Sequence, residues 1–200
     1  MYTGLALTTF LLALTATATP LTPPTTNNTT TLSPRDGPET FQLRVWNNCK
    51  FVKEVALYQI TGDFQMLQKS RPTNIQPGKR VIMNAPYKAA GMRLSGHAEW
   101  GVAGQWKPQA LFEFGYSTYA GTDGTAYDLS VMQGSDGDIG IGAYPSANGR
   151  GSQSCPAKTC FPWHCPHNQG WTNRDQVNIG SPADTVCYKG KTDFKIVFCP

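Results

Sequence analysis

The segment from 111 to 134, LFEFGYSTYAGTDGTAYDLSVMQG, predicts two β-strands joined by a turn. In both halves, aromatic or aliphatic residues alternate with other side chains, which is the period of a strand with one buried face. The intervening STYAGTDGT is rich in residues that favour turns. We therefore expect an antiparallel pair that brings Glu113 near Asp128, with the register deciding whether the two acids share a face.

Further strand-like runs indicate the fold class. They lie at 41–46, 52–60, 80–84, 91–95, 111–117, 126–132, 139–143 and 194–198, separated by Gly, Pro and Asn clusters. No helical period of useful length competes with them. The sequence predicts one all-β domain, a sandwich with a loop-rich, disulfide-bonded region late in the chain.

The first forty residues predict export. Residues 1–18 hold an apolar run followed by Ala16-Thr17-Ala18, a small-x-small pattern typical of a signal peptide cleaved after Ala18. The run is too short for a membrane span, which needs about 20 apolar residues. Residues 19–40 are a Thr/Pro-rich linker or pro-segment, with overlapping N-glycosylation sequons at Asn27 and Asn28. The folded domain is expected at 41–200, in a secreted protein of the extracellular space or cell wall.

Six cysteines follow the linker, and an even count in a secreted chain predicts three disulfides. Spacing leaves fifteen pairings open. The cysteines are Cys49, Cys155, Cys160, Cys165, Cys187 and Cys199. His164 and His167 lie among three of them, but oxidised cysteines offer no thiolate to a metal. We expect no metal and no cofactor.

The charge pattern limits the partners. The net charge is +4, and Lys and Arg are scattered rather than clustered in a run. We therefore expect no nucleic-acid partner, and at most a weak attraction to anionic cell-surface polymers. No segment after the signal predicts a membrane span, and we expect a monomer.

Several motifs together resemble the thaumatin-like proteins. They are VWNNCKFVKEVALYQI at 45–60, PGKRVIM at 77–83, FEFGYS and AYDLSVMQG within 111–134, and the final KIVFCP. The matches cover most of residues 41–200, and the few cysteines and short core are similar to the small fungal, antigenic (yeast-phase-specific) branch of that family. The resemblance implies the thaumatin-like β-sandwich and a disulfide between Cys49 and Cys199. It leaves the pairing of the other four cysteines open.

The same resemblance implies a functional cleft. Glu113 falls on the family's cleft glutamate and Asp128 on its first cleft aspartate, positions held responsible for glucan binding and, in some members, endo-β-1,3-glucanase activity. Gln133 replaces the next acid, although Asp136 and Asp138 offer other carboxylates. The arginine expected just before the glutamate, in a cysteine-bearing stretch, is missing. The alternative interpretation is that Glu113 and Asp128 are structural acids satisfied by backbone amides or a nearby Lys.

Aromatic side chains give a second carbohydrate signal, because sugar rings stack on exposed aromatic faces. The candidates are Trp100, Trp106, Tyr116, Tyr119, Trp163 and Trp171. Packing in the core or in loops is the alternative for each of them.

Three hypotheses follow. The first is a non-catalytic secreted protein that binds cell-wall polysaccharide, above all β-glucan, or acts at the cell surface as an antigen. The second is an endo-β-1,3-glucanase that uses Glu113 and Asp128 as its two carboxyls. The third is a secreted effector or defence protein that contacts a host protein or a membrane.

Overall fold

A computed structural model of the chain describes residues 39–63, 65–96, 110–132, 139–146, 155–188 and 190–200. These residues belong to one compact unit, Asp36–Pro200. The predicted signal peptide, nearly all of the linker and both sequons lie outside the described residues. None of the described helices is long and apolar enough to cross a membrane.

Twelve strands form within the described residues. They are β1 (Thr40–Asn47), β2 (Lys53–Ile60), β3 (Met66–Gln68), β4 (Thr73–Ile75), β5 (Arg80–Pro86), β6 (Met92–Ser95), β7 (Leu111–Ser117), β8 (Gly124–Ser130), β9 (Ile141–Pro145), β10 (Lys158–Cys160), β11 (Thr185–Tyr188) and β12 (Phe194–Phe198). Two 3₁₀ turns, Tyr119–Gly121 and Arg174–Ile179, complete the regular structure of this part of the chain.

The strands make two sheets. A five-stranded sheet has the order β10-β9-β12-β1-β5, in which β1 and β12 are parallel and the other neighbours antiparallel. A seven-stranded sheet follows the order β11-β8-β7-β6-β2-β3, with β4 also paired to β2. The predicted all-β sandwich is therefore confirmed.

The core lies between the two sheets, because alternate side chains of each strand point inward. Phe112 of β7 stacks on Phe114 and packs 5.0 Å, centroid to centroid, from Phe194 of β12. Tyr127 of β8 lies 4.8 Å from the same Phe194 ring. The apolar side chains that alternate along the predicted hairpin thus pack between the two sheets.

Three disulfides are present. Cys49–Cys199 joins the chain just after β1 to the residue after β12, across 150 residues of sequence. Cys155–Cys187 closes 32 residues and Cys160–Cys165 closes five. The last two lie in the loop-rich region late in the chain.

A 3₁₀ turn in that region is fixed by its ends. The Asn173 side chain accepts a hydrogen bond from the Asp175 N–H at 2.9 Å. The Gln176 side chain, fully buried, accepts from the backbone N–H groups of Thr172 and Asn173. Gly180 ends the turn at φ 87°, a left-handed conformation that favours glycine. The loops here are therefore held by specific polar contacts.

Strand bounds differ from the sequence prediction where neighbouring strands decide them. β8 begins at Gly124 rather than 126, since it pairs with β7 as far as Ser117. β9 runs from 141 to 145 rather than 139 to 143, since its partner β12 ends opposite Ile141. β1 includes Thr40, the last residue of the predicted linker. The short strands β3, β4, β10 and β11 were not predicted, because three or four residues carry too little alternation.

Candidate functional site

The register of β7 and β8 places Glu113 directly opposite Asp128. Residues that face each other across an antiparallel pair share one side of the sheet, with Cβ atoms about 4.5–5.5 Å apart. Because Phe112 and Phe114 point into the core, the two acids lie on the face of the seven-stranded sheet that is turned away from the five-stranded sheet.

Arg93 of β6 extends this row of charges. It lies opposite Glu113 in the register of β6 and β7, and its Nη2 is 2.5 Å from Glu113 Oε1. The two side chains are only 12% and 22% exposed, so water screens the ion pair weakly. Among the described residues, the ion-pair partner of Glu113 is thus an arginine rather than the lysine of the structural alternative.

Asp184, just before β11, adds a third carboxylate. The indole Nε1 of Trp171 donates a hydrogen bond to Asp184 Oδ1 at 2.7 Å. Trp171 is itself fixed to the end of β8 by two backbone hydrogen bonds, from its N–H to Leu129 O and from Val131 N–H to its carbonyl. The sheet therefore positions Asp184 through the tryptophan.

A cleft of about 380 Å³ opens over these acids. Its volume falls in the range of about 300–1,000 Å³ that is usual for ligand sites. It is lined by Ala90, Gly91, Met92, Glu113, Phe114, Gly115, Tyr116, Ala126, Tyr127, Asp128, Asp184, Thr185 and Val186. The side chains of Glu113, Asp128 and Asp184 make this cleft acidic.

Asp128 has the most perturbed environment of the three acids. Its Oδ1 is buried and has no hydrogen-bond partner among the described residues. Burial raises the pKa of the Asp128 carboxyl well above its ordinary range, and the negative charges of Glu113 and Asp184 raise it further. The cleft therefore favours a protonated Asp128 beside a Glu113 that is held in an ion pair.

Lys158 of β10 approaches this group from the other sheet. It is only 2% exposed, and its Nζ donates to the Ala183 carbonyl and lies 5.5 Å from the centre of the Tyr127 ring. Burial lowers the pKa of the Lys158 ammonium, while Asp128 and Asp184 raise it. The acids thus compensate a buried cation as well as Arg93.

Asp128→Asn is expected to stabilise the protein at neutral pH. Because the pKa of Asp128 is higher in the folded protein than the value of about 3.8 in the unfolded chain, folding favours the protonated carboxyl. This contribution to stability is complete below pH 3.8 and is lost as the pH rises through the folded pKa, where Asp128 ionises. An ionised Asp128 therefore weakens the fold. Removing this buried charge should increase the free energy of unfolding at pH 7 by about 1–3 kcal/mol. Urea unfolding at a series of pH values measures it, and the gain should vanish towards pH 3.

Asp123→Asn provides a control of opposite sign. A hydrogen bond from Tyr116, and then Lys88, lowers the pKa of the Asp123 carboxyl, so its ionised form supports the fold. This variant should lose stability at neutral pH, and the loss should fade as pH falls below about 3.8. If Asp128→Asn were less stable than wild type at pH 7, the assignment of Asp128 as a buried carboxyl with a raised pKa would be wrong.

The structure brings together some of the predicted site residues. Glu113, Asp128 and Tyr116 line the cleft, whereas Tyr119 is 66% exposed on the 3₁₀ turn Tyr119–Gly121. Trp163 is 68% exposed and stacks on Phe161 at 5.4 Å. The remaining candidates and possible acids, Trp100, Trp106, Gln133, Asp136 and Asp138, lie outside the described residues.

Arg93, which pairs with a cleft acid, and Asp184, which lines the cleft, were not predicted as site residues from the sequence. Arg93 carried a usable signal, since it is a charged residue between Met92 and Leu94 in a predicted strand and so had to face away from the core. Asp184 carried none, because only the fold brings its loop beside β8.

The expectation of no metal site remains a prediction. Within the described ranges, no group of three or more His, Cys, Asp or Glu side chains is arranged to hold a metal ion. All six cysteines are in disulfides.

Comparison with known proteins identifies the fold. No protein-family model matches the chain, and no curated protein matches it significantly. Among solved structures, the protein elicitor MoHrip2 from Magnaporthe oryzae is 16% identical, with a TM-score of 0.51 over 80% of this chain and 99% of that one. The chain has a thaumatin-like fold. The thaumatin-like xylanase inhibitor TLXI is 14% identical, with a TM-score of 0.48 over 79% of this chain and 99% of that one.

At 16% identity, the likeness to MoHrip2 shows the fold alone and does not identify a ligand. The three disulfides support an extracellular protein, because such bonds persist in oxidising compartments.

Proposed function

We propose that this thaumatin-like protein is a secreted, non-catalytic binder of cell-wall polysaccharide, with β-glucan held in the acidic cleft. The observation that carries the proposal is the buried Asp128 Oδ1, which lacks a partner among the described residues and lies in a cleft beside Glu113 and Asp184. A protonated Asp128 can donate one hydrogen bond and accept others, and the Glu113 and Asp184 carboxylates accept them, so a ligand rich in hydroxyl groups matches the cleft. A neutral sugar chain supplies hydroxyl donors without adding a negative charge.

Tyr116 borders the cleft at the end of β7. Its ring packs edge-on against buried Tyr87 at 5.3 Å and carries Lys88 Nζ 3.7 Å from its centre, and its hydroxyl donates to Asp123 Oδ1. These contacts lie on the core side of β7, where alternation also places Phe112. The acids face the other way, so hydrogen bonds rather than ring stacking carry the proposed binding.

The setting of the proposed activity is defence or the cell surface. One structural neighbour is a protein elicitor and another a xylanase inhibitor, which supports a secreted, defence-type role. We also propose that the protein is a member of the small fungal antigenic branch, that it is located in the cell wall, and that it is glycosylated at Asn27 and Asn28.

Endo-β-1,3-glucanase activity is the second candidate, favoured by the contrast between the two carboxyls. A glycosidase needs one protonated acid for the leaving oxygen and one ionised carboxylate as nucleophile or base. Asp128, with its raised pKa, suits the first role, and Glu113, paired with Arg93, suits the second.

One experiment separates the two functions. The purified domain is incubated with insoluble β-1,3-glucan, with chitin and cellulose as controls, while released reducing sugar is assayed in the same tubes. We expect binding without sugar release. Asp184→Ala, which removes a hydrogen-bond acceptor from the cleft, should weaken binding roughly tenfold, about 1.4 kcal/mol, while Asp63→Ala, at an exposed carboxylate outside the cleft lining, should stay near wild type.

Glu113→Gln tests the catalytic alternative, with Glu54→Gln of β2 as a matched control outside the cleft lining. If wild type releases sugar and only Glu113→Gln abolishes the release while retaining glucan affinity, the protein is a hydrolase. No affinity for any of the three polymers would contradict both functions and favour the effector that contacts a host protein or a membrane.

A further inference from the structure

The outer face of the five-stranded sheet lies on the opposite side of the sandwich from the acidic cleft. In β1, Phe41, Leu43 and Val45 point into the core, so Arg44 and Trp46 point outward. The register continues this outer face onto the neighbouring strands. Trp46 lies opposite Arg80 of β5, Arg44 lies opposite both Ile82 of β5 and Lys195 of β12, and Lys195 lies opposite Tyr144 of β9.

These outward residues interleave cations with aromatic rings. The Arg80 guanidinium is 5.0 Å from the centre of the Trp46 ring, and Lys195 Nζ is 5.1 Å from the same ring. Lys195 Nζ also lies 5.8 Å from the Tyr144 ring. Cation–π contacts hold these charges in place without neutralising them. We call the set Arg44, Trp46, Arg80, Tyr144 and Lys195 the cationic face.

Among the described residues, no carboxylate forms an ion pair with the cationic face. The five strands of this sheet contain no Asp or Glu at all. Asp193 lies just before β12. It accepts hydrogen bonds from Lys191 Nζ at 2.6 Å and from Gln42 N–H at 2.8 Å, so its carboxylate is already paired with groups outside the cationic face. Within the described residues, Arg44, Arg80 and Lys195 have no ion-pair partner. Three positive charges thus lie close together on the outer face of one sheet.

A shallow cavity of about 280 Å³ lies between the two arginines, lined by Gln42, Arg44, Arg80 and Ile82. Arg44 Nε is 3.4 Å from Gln42 Oε1, a long contact that leaves the rest of the guanidinium available. Two guanidinium groups around a cavity suit planar or tetrahedral anions, because each presents a fork of donors. The geometry matches a carboxylate or sulfate group carried on a larger molecule.

We propose that the cationic face binds an anionic polysaccharide, a chain that carries uronate or sulfate groups. The cations lie on three neighbouring strands, so an extended polymer can contact them as it crosses the sheet, and they provide the charge complementarity. Ile82, 53% exposed, is a small apolar contribution compared with what a membrane-inserting surface needs. This site is independent of the glucan cleft, since the two lie on opposite faces of the sandwich.

The test uses immobilised polygalacturonate and the triple variant Arg44→Glu, Arg80→Glu, Lys195→Glu. The control triple Lys69→Glu, Arg71→Glu, Arg174→Glu changes the net charge equally at exposed positions outside the cationic face. Wild type should bind, with log affinity falling against log salt with a slope of about −2, as expected for three ionic contacts. The cationic-face triple should lose at least tenfold in affinity, whereas the control should stay within about threefold.

A milder triple, Arg44→Gln, Arg80→Gln, Lys195→Gln, keeps the test valid if charge reversal prevents folding. It should also lose affinity, with thermal unfolding near wild type. If the cationic-face triple and the control triple lost the same affinity for polygalacturonate, the proposal would be overturned, because net charge alone would then explain binding. Binding to phosphatidylserine vesicles but not to polygalacturonate would also overturn it. Unchanged affinity for β-1,3-glucan in the face variants is the expected sign of an independent site.

Discussion

Replacing Cys49 and Cys199 together by serine is expected to destabilise the domain by about 5 kcal/mol. The bridge closes 150 residues, and the loss of unfolded-chain entropy on cross-linking grows with the length of the closed loop. Chemical unfolding of the double variant, compared with wild type, measures the difference. A loss of this size approaches the total stability of an ordinary domain, about 5–15 kcal/mol.

The double variant Cys160→Ser, Cys165→Ser is the matched control. Its bridge closes only five residues, so the same entropy model predicts a loss of about 2 kcal/mol. Cys155–Cys187, which closes 32 residues, should fall between the two at about 3.7 kcal/mol. If all three variants lost the same stability, loop length would not be the cause.

Arg93→Ala is expected to cost about 2–4 kcal/mol of stability. Removing one partner of a largely buried ion pair leaves the other charge without compensation, and here two further acids lie close to it. Glu113 would lose its arginine while Asp128 and Asp184 remain in the same cleft. Urea unfolding at pH 7 measures the loss.

Two controls make the Arg93 experiment specific. Lys88→Ala removes an ion pair with Asp123 whose side chains are 62% and 60% exposed, so its loss should stay below about 1 kcal/mol. The double variant Arg93→Ala, Glu113→Ala should recover part of the loss, because no unpaired glutamate is left behind. Strict additivity of the two single changes would show that Arg93 and Glu113 are not coupled.

The hairpin of β7 and β8 shows how much of the fold could be predicted from the sequence. Aromatic residues occupy every second position of its seven-residue first strand, and this period predicted its bounds. The short strands β10 and β11 have no such period, and they exist because longer neighbours offer free hydrogen-bonding edges. Such pairing is a property of the assembled sheet, which a local pattern does not contain.

The candidate site was predictable only where pairing within one hairpin forms it. Glu113 and Asp128 lie on one hairpin, so local pairing sufficed to bring them near each other, while their register required the structure. Asp184 and Lys158 reach Asp128 from distant parts of the chain, and spacing could not place them. The scattered basic residues of the sequence likewise became a cationic face only when β1, β5 and β12 were aligned.

The position of β12 has a consequence for how the protein is made. This strand lies between β9 and β1 in the middle of the five-stranded sheet, although it is the last of the described strands in chain order. Until β12 leaves the ribosome, β1 and β5 have no link through the sheet to β9 and β10. The five-stranded sheet therefore closes only after β12 has been synthesised, and the facing edges of β1 and β9 stay unpaired until then.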